Sequence, residues 1–167
     1  MKKTIFLLSL ALLASCKTAN TVSEKNQKAP FVWEGANLYF LLTDRFQNGD
    51  QSNDINFNRT EKSAVLRGFE GGDLRGIIQK VDENYFSDLG VNAIWMTPLV
   101  QQIHGYTDEG TGKTYAFHGY WAKDWTTLDP NFGTEKELKE LVEKSHKKGI
   151  RVVLDVVINH TGPVTKT

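Results

Sequence analysis

Three short apolar runs, separated by two segments of helical periodicity, limit what this chain can fold into more than any other feature. The runs are residues 37–43 (NLYFLLT), 91–96 (VNAIWM) and 151–158 (RVVLDVVI). Each is short and bounded by polar residues, Gly or Pro, which suits a strand. Between the first two, Ile77, Ile78, Val81, Tyr85, Phe86 and Leu89 recur at helical spacing. Asp73 is placed to cap that helix and Gly90 to end it. Between the second and third, Thr134 and Glu137 form a capping-box pattern ahead of Leu138, Leu141 and Val142, and Gly149 closes the helix. Strands that alternate with helices predict an α/β fold with a parallel sheet. The third run is nearly continuous in apolar character, which predicts a strand buried on both faces. Helix-to-strand turns are tight, whereas residues 44–70 and 99–133 read as long loops after strands. Such loops, at the C-terminal ends of parallel strands, are where α/β folds hold their chemistry. No glycine-rich phosphate loop follows the first run, so nucleotide binding is unsupported.

The N-terminus reads as a targeting segment. Lys2 and Lys3 precede an apolar stretch at residues 5–13, shorter than the roughly 20 residues a membrane span requires. Residues 1–15 are therefore expected to be a signal peptide. Cys16 is the single cysteine of the 167-residue chain and follows Ala14 and Ser15 as in a bacterial lipobox. That likeness implies cleavage before Cys16 and a lipid on its thiol. The protein would then be secreted and anchored to the membrane of the cell envelope, facing the periplasm or the outside. Residues 16–30 are polar and aperiodic, as a flexible tether would be, and residues 31–167 would form the folded part. One cysteine permits no internal disulfide. Lys plus Arg and Asp plus Glu each number 20, and without a basic run nothing favours nucleic acid as a partner.

Asp155 interrupts the third apolar run, and a buried carboxylate is costly unless it is paired. Asn159 and His160 follow it closely. In residues 48–54 (NGDQSND), carboxylates and amides alternate around a Gly that permits a tight turn. Hard cations such as Ca²⁺ take several oxygen ligands from loops of this kind; composition alone is equally compatible with a solvated turn. His118, Tyr120 and Trp121 cluster in the second long loop, where the rings could pack on the rim or stack on a sugar.

The string from Asp155 to His160 (DVVINH) resembles the D-x-x-x-N-H region of the α-amylase family, glycoside hydrolase family 13. Residues 39–46 (YFLLTDRF) resemble that family's first strand, and residues 71–77 (GGDLRGI) the start of its first helix. Residues 91–98 (VNAIWMTP) resemble its second strand, residues 118–121 (HGYW) the loop beyond, and residues 131–134 (NFGT) the start of its second helix. The resemblance implies a (β/α)₈ TIM barrel, of which this chain would supply the first three strands and two helices. It implies α-glucans (starch, maltooligosaccharides) as substrates, with α-1,4-glucosidic bonds cleaved by a retaining mechanism. It implies that Tyr120 is a platform under the sugar, that His118 and Trp121 line the same cleft, that Asp155 supports the subsite, and that His160 bonds the sugar. Residues 48–54 resemble the calcium loop of cyclodextrin glycosyltransferases. That likeness implies Ca²⁺ held by Asn48, Asp50, Asn53 and Asp54 with Gly71 and Asp73, while the family resemblance makes Asn159 a calcium ligand.

In this family the nucleophile follows the fourth strand and the acid/base the fifth. Both are expected beyond Thr167, so no residue here is assigned as catalytic, and Asp155 is not the nucleophile. A complete barrel takes roughly 250 residues; the chain is therefore expected to be part of one, inactive and poorly stable by itself. A non-catalytic glucan-binding surface lipoprotein on the same fold is the alternative reading.

Overall fold

The computed structural model describes residues 30–165, so the signal peptide, Cys16 and almost all of the tether lie outside the described residues. The compact unit that begins at Trp33 carries everything below. Strand β1 (Leu38–Leu41) leads into a single helical turn, α1 (Thr43–Phe46). Helices α2 (Leu74–Asp82) and α3 (Tyr85–Asp88) return the chain to β2 (Ala93–Met96). Strands β3 (Val100–Gln102), β4 (Thr107–Asp108), β5 (Lys113–Thr114) and β6 (Ala122–Leu128) follow, then α4 (Glu135–Lys147) and β7 (Arg151–Leu154).

The central sheet has the order β1-β2-β7 and is parallel throughout, with Leu38 opposite Ala93 and Ala93 opposite Arg151. Its three strands therefore end on the same edge, and the segments carrying Asn48, Tyr120 and Asp155 all leave from that edge. The core forms where Leu74, Ile77, Ile78 and Val81 of α2, Phe86 of α3 and Leu141 of α4 meet Ile94, Met96 and Ile150. Burying a side chain of this size contributes about 1.5–3 kcal/mol. The helix ends follow the expected chemistry. Asp73 accepts from the Gly76 amide, Thr134 and Glu137 form a reciprocal capping box, and Gly90 and Gly149 have φ of +71° and +77°.

Three expectations need correction. The helix read through residues 77–89 is two helices, because Asn84 takes a left-handed φ of +65° between α2 and α3; Asn tolerates that conformation better than most residues. The stretch 99–133 is not a featureless loop. It holds the antiparallel pair β3–β6, with two register shifts, and the small hairpin β4–β5. β3, β4 and β5 are two or three residues long and the pairing of β3 with the seven-residue β6 is irregular, which obscures a period-two pattern. The third apolar run is not a strand buried on both faces. β7 ends at Leu154, so Asp155 lies just past it, and Leu154, Val156 and Ile158 are 52%, 58% and 88% exposed. Burial on both faces requires a layer packed over each: α4 packs against β7, whereas the side chains of Leu154, Val156 and Ile158 are left uncovered among the described residues.

Candidate functional site

Asp155 is the focus of one group at the C-terminal edge of the sheet. Its Oδ2 accepts from the Tyr120 hydroxyl at 3.0 Å and from the Trp95 indole N–H at 3.2 Å. Trp95 lies on β2, so the two neighbouring strands and the β5–β6 segment converge on one carboxylate oxygen. Burial and the Asp155 charge raise the Tyr120 phenol pKa, which keeps its proton on the bond to Asp155. Gly119 has φ of +86°, and a β-carbon there would overlap the Pro98 carbonyl oxygen at the end of β2. Only a glycine lets the turn lie this close.

The two histidines are fixed by the same turn. The Tyr120 amide donates to His118 Nδ1 at 3.0 Å, which places the His118 proton on Nε2. Burial lowers the His118 pKa, so the ring is neutral at pH 7. Its plane lies within 18° of the Tyr120 ring at 6.0 Å, and Trp121 meets it edge-on at 4.7 Å. His160 is exposed, and its Nε2 donates to the Tyr120 carbonyl at 3.0 Å. The structure thus brings His118, Tyr120, Trp121, Asp155 and His160 into one cluster.

The loop after α1 forms a second cluster. Asp73 Oδ1 accepts from the amides of Gly49 and Gly76, and Oδ2 from the Asp50 amide and the Asn53 side chain. Burial nonetheless raises the Asp73 pKa. Asn48 donates to Asp54 at 2.8 Å. A β-carbon on Gly71 would overlap both side chains, so Gly71 lies against the same spot. The side-chain oxygens Asn48 Oδ1 and Asn53 Oδ1 are buried without a hydrogen-bond partner, and such orphaned acceptors are rare in native folds. An all-oxygen set of this kind fits a hard cation; among the described residues no group of three or more His, Cys, Asp or Glu is placed to hold a metal. Two expected ligands stand apart. The Asp50 carboxylate turns to the Ser52 amide and hydroxyl, and Asn159 is exposed and shares no hydrogen bond with the cluster.

A buried polar strut, invisible to the motif reading, joins the two clusters. Asn131 donates to the carbonyls of Asn53 and Asp54 at 3.1 and 2.6 Å, and accepts from Arg59. Arg59 pairs with Asp129 through two bonds of 2.8 and 2.7 Å. Asp129 accepts from the Gln102 amide, and Gln102 Oε1 accepts from the Trp121 amide. Asn131 was legible only as a motif letter. Nothing local marks Arg59, Gln102 or Trp95, because their partners lie far away in sequence.

The family model described as Alpha amylase, catalytic domain matches residues 40–167. The chain belongs to the α-amylase family. It is 48% identical over 147 residues to the periplasmic alpha-amylase of Escherichia coli, covering 86% of this chain and 21% of that one. It is 36% identical over 165 residues to a cyclomaltodextrin glucanotransferase of Bacillus licheniformis, covering 97% of this chain and 22% of the other. The chain thus spans about a fifth of the length of these curated relatives. Among solved structures, an Anoxybacillus alpha-amylase aligns at 35% identity and a TM-score of 0.65, covering 80% of this chain and 26% of that one. A cyclomaltodextrin glucanotransferase aligns at 34% and 0.66, covering 77% and 26%. The three parallel strands with α2 and α4 are accordingly part of the α-amylase family's (β/α)₈ barrel.

Proposed function

We propose that this chain forms one side of the glucan cleft of an enzyme acting on α-1,4-glucosidic bonds of starch-like polysaccharides by a retaining double displacement. The observation that carries the reading is the convergence of Tyr120, Trp95 and Asp155 at the C-terminal edge of a parallel sheet, where TIM-barrel enzymes keep their sites. Tyr120 is the platform: a flat phenol offers apolar area to a pyranose face, and its bond to Asp155 locks the ring. His118, with its proton on Nε2, and Trp121 line the same wall, and His160 supplies a polar group beside it. Retaining glycosidases use two carboxyl groups about 5–5.5 Å apart. Asp155 is taken up by Tyr120 and Trp95 and is assigned to positioning. The nucleophile and acid/base are assigned to the part of the barrel that follows β7; the exposed Leu154, Val156 and Ile158 form the apolar surface such strands would cover.

Ca²⁺ is the proposed occupant of the loop. Asn48 Oδ1 and Asn53 Oδ1 would ligate it, with Asp54, Gly71 and Asp73 around them; Asp50 would have to leave Ser52, and Asn159 would ligate from a separate place. Bound there, the ion would tie the loop together. Extracytoplasmic location agrees with the name of the periplasmic relative. Lipid attachment at Cys16 is proposed from the sequence and is tested by labelling with a radioactive fatty acid, where a Cys16→Ser variant that still takes up label contradicts it. The activity is tested by assaying the full-length gene product on starch and maltooligosaccharides. Release of α-configured products supports the reading, and absence of any cleavage overturns it.

A further inference from the structure

Arg45 lies on α1, just beyond the C-terminal end of β1 and so on the edge of the sheet that carries the Asp155 group. Its Nη1 donates to the buried Asp44 carboxylate at 2.5 Å, and its Nη2 donates to the carbonyls of Leu66 and Gly68 at 2.9 and 2.8 Å. The central carbon of the same guanidinium lies 3.9 Å from the centre of the Phe117 ring, close enough for a cation–π attraction. Arg45 thus gathers a piece of each of the two long segments that follow β1 and β2. A planar fork with an apolar face can hold a carboxylate, two carbonyls and a ring together, whereas a lysine ammonium is a compact point charge. The Arg45 side chain is only 23% exposed, so these contacts are partly sheltered from water. Leu66 has φ of +58°, a strain that persists where the surroundings impose it, and the bonds from Arg45 on either side of Arg67 help to impose it.

Phe117 immediately precedes His118. Its ring meets the His118 ring edge-on, with centroids 5.3 Å apart and planes at 70°. His118 is therefore backed by Phe117 and Trp121 while it lies parallel to Tyr120, and Arg45 fixes the first of these supports.

Charge acts in the same direction. Burial is the main cause that disfavours the His118 imidazolium; Glu109 favours it, and Arg45 and Arg67 oppose it. Arg67 and Glu109 are paired with each other at 2.6 Å, so their influences on the ring largely cancel. Arg45, paired with Asp44 and 3.9 Å from Glu70, is left as the cation that reinforces burial. A neutral ring is what the wall requires, because a proton on Nδ1 would abolish the bond from the Tyr120 amide.

We propose that Arg45 is a positioning residue of the glucan cleft, which holds the His118 ring in place through Phe117. It acts through His118 and is assigned no contact with the sugar. This inference rests on the glucan reading given above. The test is kcat/KM of the full-length protein on maltoheptaose between about pH 5 and 8, for wild type, Arg45→Met, His118→Gln and the double variant, each checked by thermal melt. Arg45→Met should lower kcat/KM about tenfold in the wild-type background and leave it nearly unchanged in the His118→Gln background. Its acid limb should also move to higher pH, because without the cation His118 takes up a proton sooner, and the double variant should lack that shift. Arg45→Lys keeps a cation beside Phe117 without the fork, so it carries the same comparison if Arg45→Met does not fold; its loss should be smaller and again confined to the background that contains His118. An equal loss in both backgrounds, no loss in any folded Arg45 variant, or a His118→Gln enzyme as active as wild type overturns the assignment and leaves the glucan reading intact. A wild-type protein that cleaves no maltoheptaose overturns the glucan reading, and the assignment with it.

Discussion

Replacing Arg59 with Met should unfold this protein more readily than any other single polar substitution. The Arg59 and Asp129 side chains are 1% and 0% exposed. The guanidinium bonds both Asp129 oxygens, Asn131, and the carbonyls of Gln102 and Ile103. In Arg59→Met, Asp129 keeps the amides of Gln102 and Asn131 but stays buried without a counter-ion. Removing one partner of such a pair costs about 3–5 kcal/mol, a large share of the roughly 5–15 kcal/mol that holds a domain folded. With a urea slope of about 2 kcal/mol per molar, the unfolding midpoint should fall by roughly 2 M. Because an apolar replacement of a whole buried pair is often neutral, Arg59→Met with Asp129→Leu should recover most of the loss. The assay is urea denaturation followed by circular dichroism. A single-variant loss below about 1 kcal/mol, or a double variant worse than the single, would refute the reasoning.

Other perturbations have defined signs. Burial raises the Asp44 carboxyl pKa to about 6 against the pull of the Glu70 and Gly71 amides and Arg45, above the unfolded value of about 3.9. Its contribution to stability is therefore full below about pH 4 and lost as pH rises through about 6; the stability difference between wild type and Asp44→Asn should shrink over that window, and growth instead would contradict it. Gly76→Ala should destabilise despite alanine's helix preference of about 1 kcal/mol, because its β-carbon would overlap the Gln47 carbonyl oxygen; a higher melting temperature would show that the close approach does not matter. Calcium at about 100 times its dissociation constant should stabilise the protein by roughly 2.7 kcal/mol, and Asn48→Ala or Asn53→Ala should reduce that gain; equal melts in calcium and in chelator would exclude the ion.

The strands and helix ends could be read from the chain because their signals are local. Residues 93–96 announce β2 by unbroken apolar character, and Asp73 and Thr134 announce their helices by capping chemistry three residues long. The placement of Tyr120, Asp155 and His160 at one edge follows from parallel topology, which fixes where every strand ends. Contacts made at long range leave no local trace. Trp95 reaches Asp155 across 60 residues and Arg59 reaches Asp129 across 70. The Asn84 break, the irregular β3–β6 pairing and the turn of Asp50 toward Ser52 depend on local backbone geometry that residue type constrains only loosely.

The most direct test of the central claim is the action of the full-length gene product on maltoheptaose, followed by proton NMR of the anomeric centre, for the wild type and for Tyr120→Ala. The account predicts cleavage of α-1,4 bonds with α-configured products first, and a fall in kcat/KM of about tenfold in Tyr120→Ala, equivalent to roughly 1.4 kcal/mol of lost platform contact. Binding without cleavage, β-configured first products, or a Tyr120→Ala variant as active as wild type would contradict it.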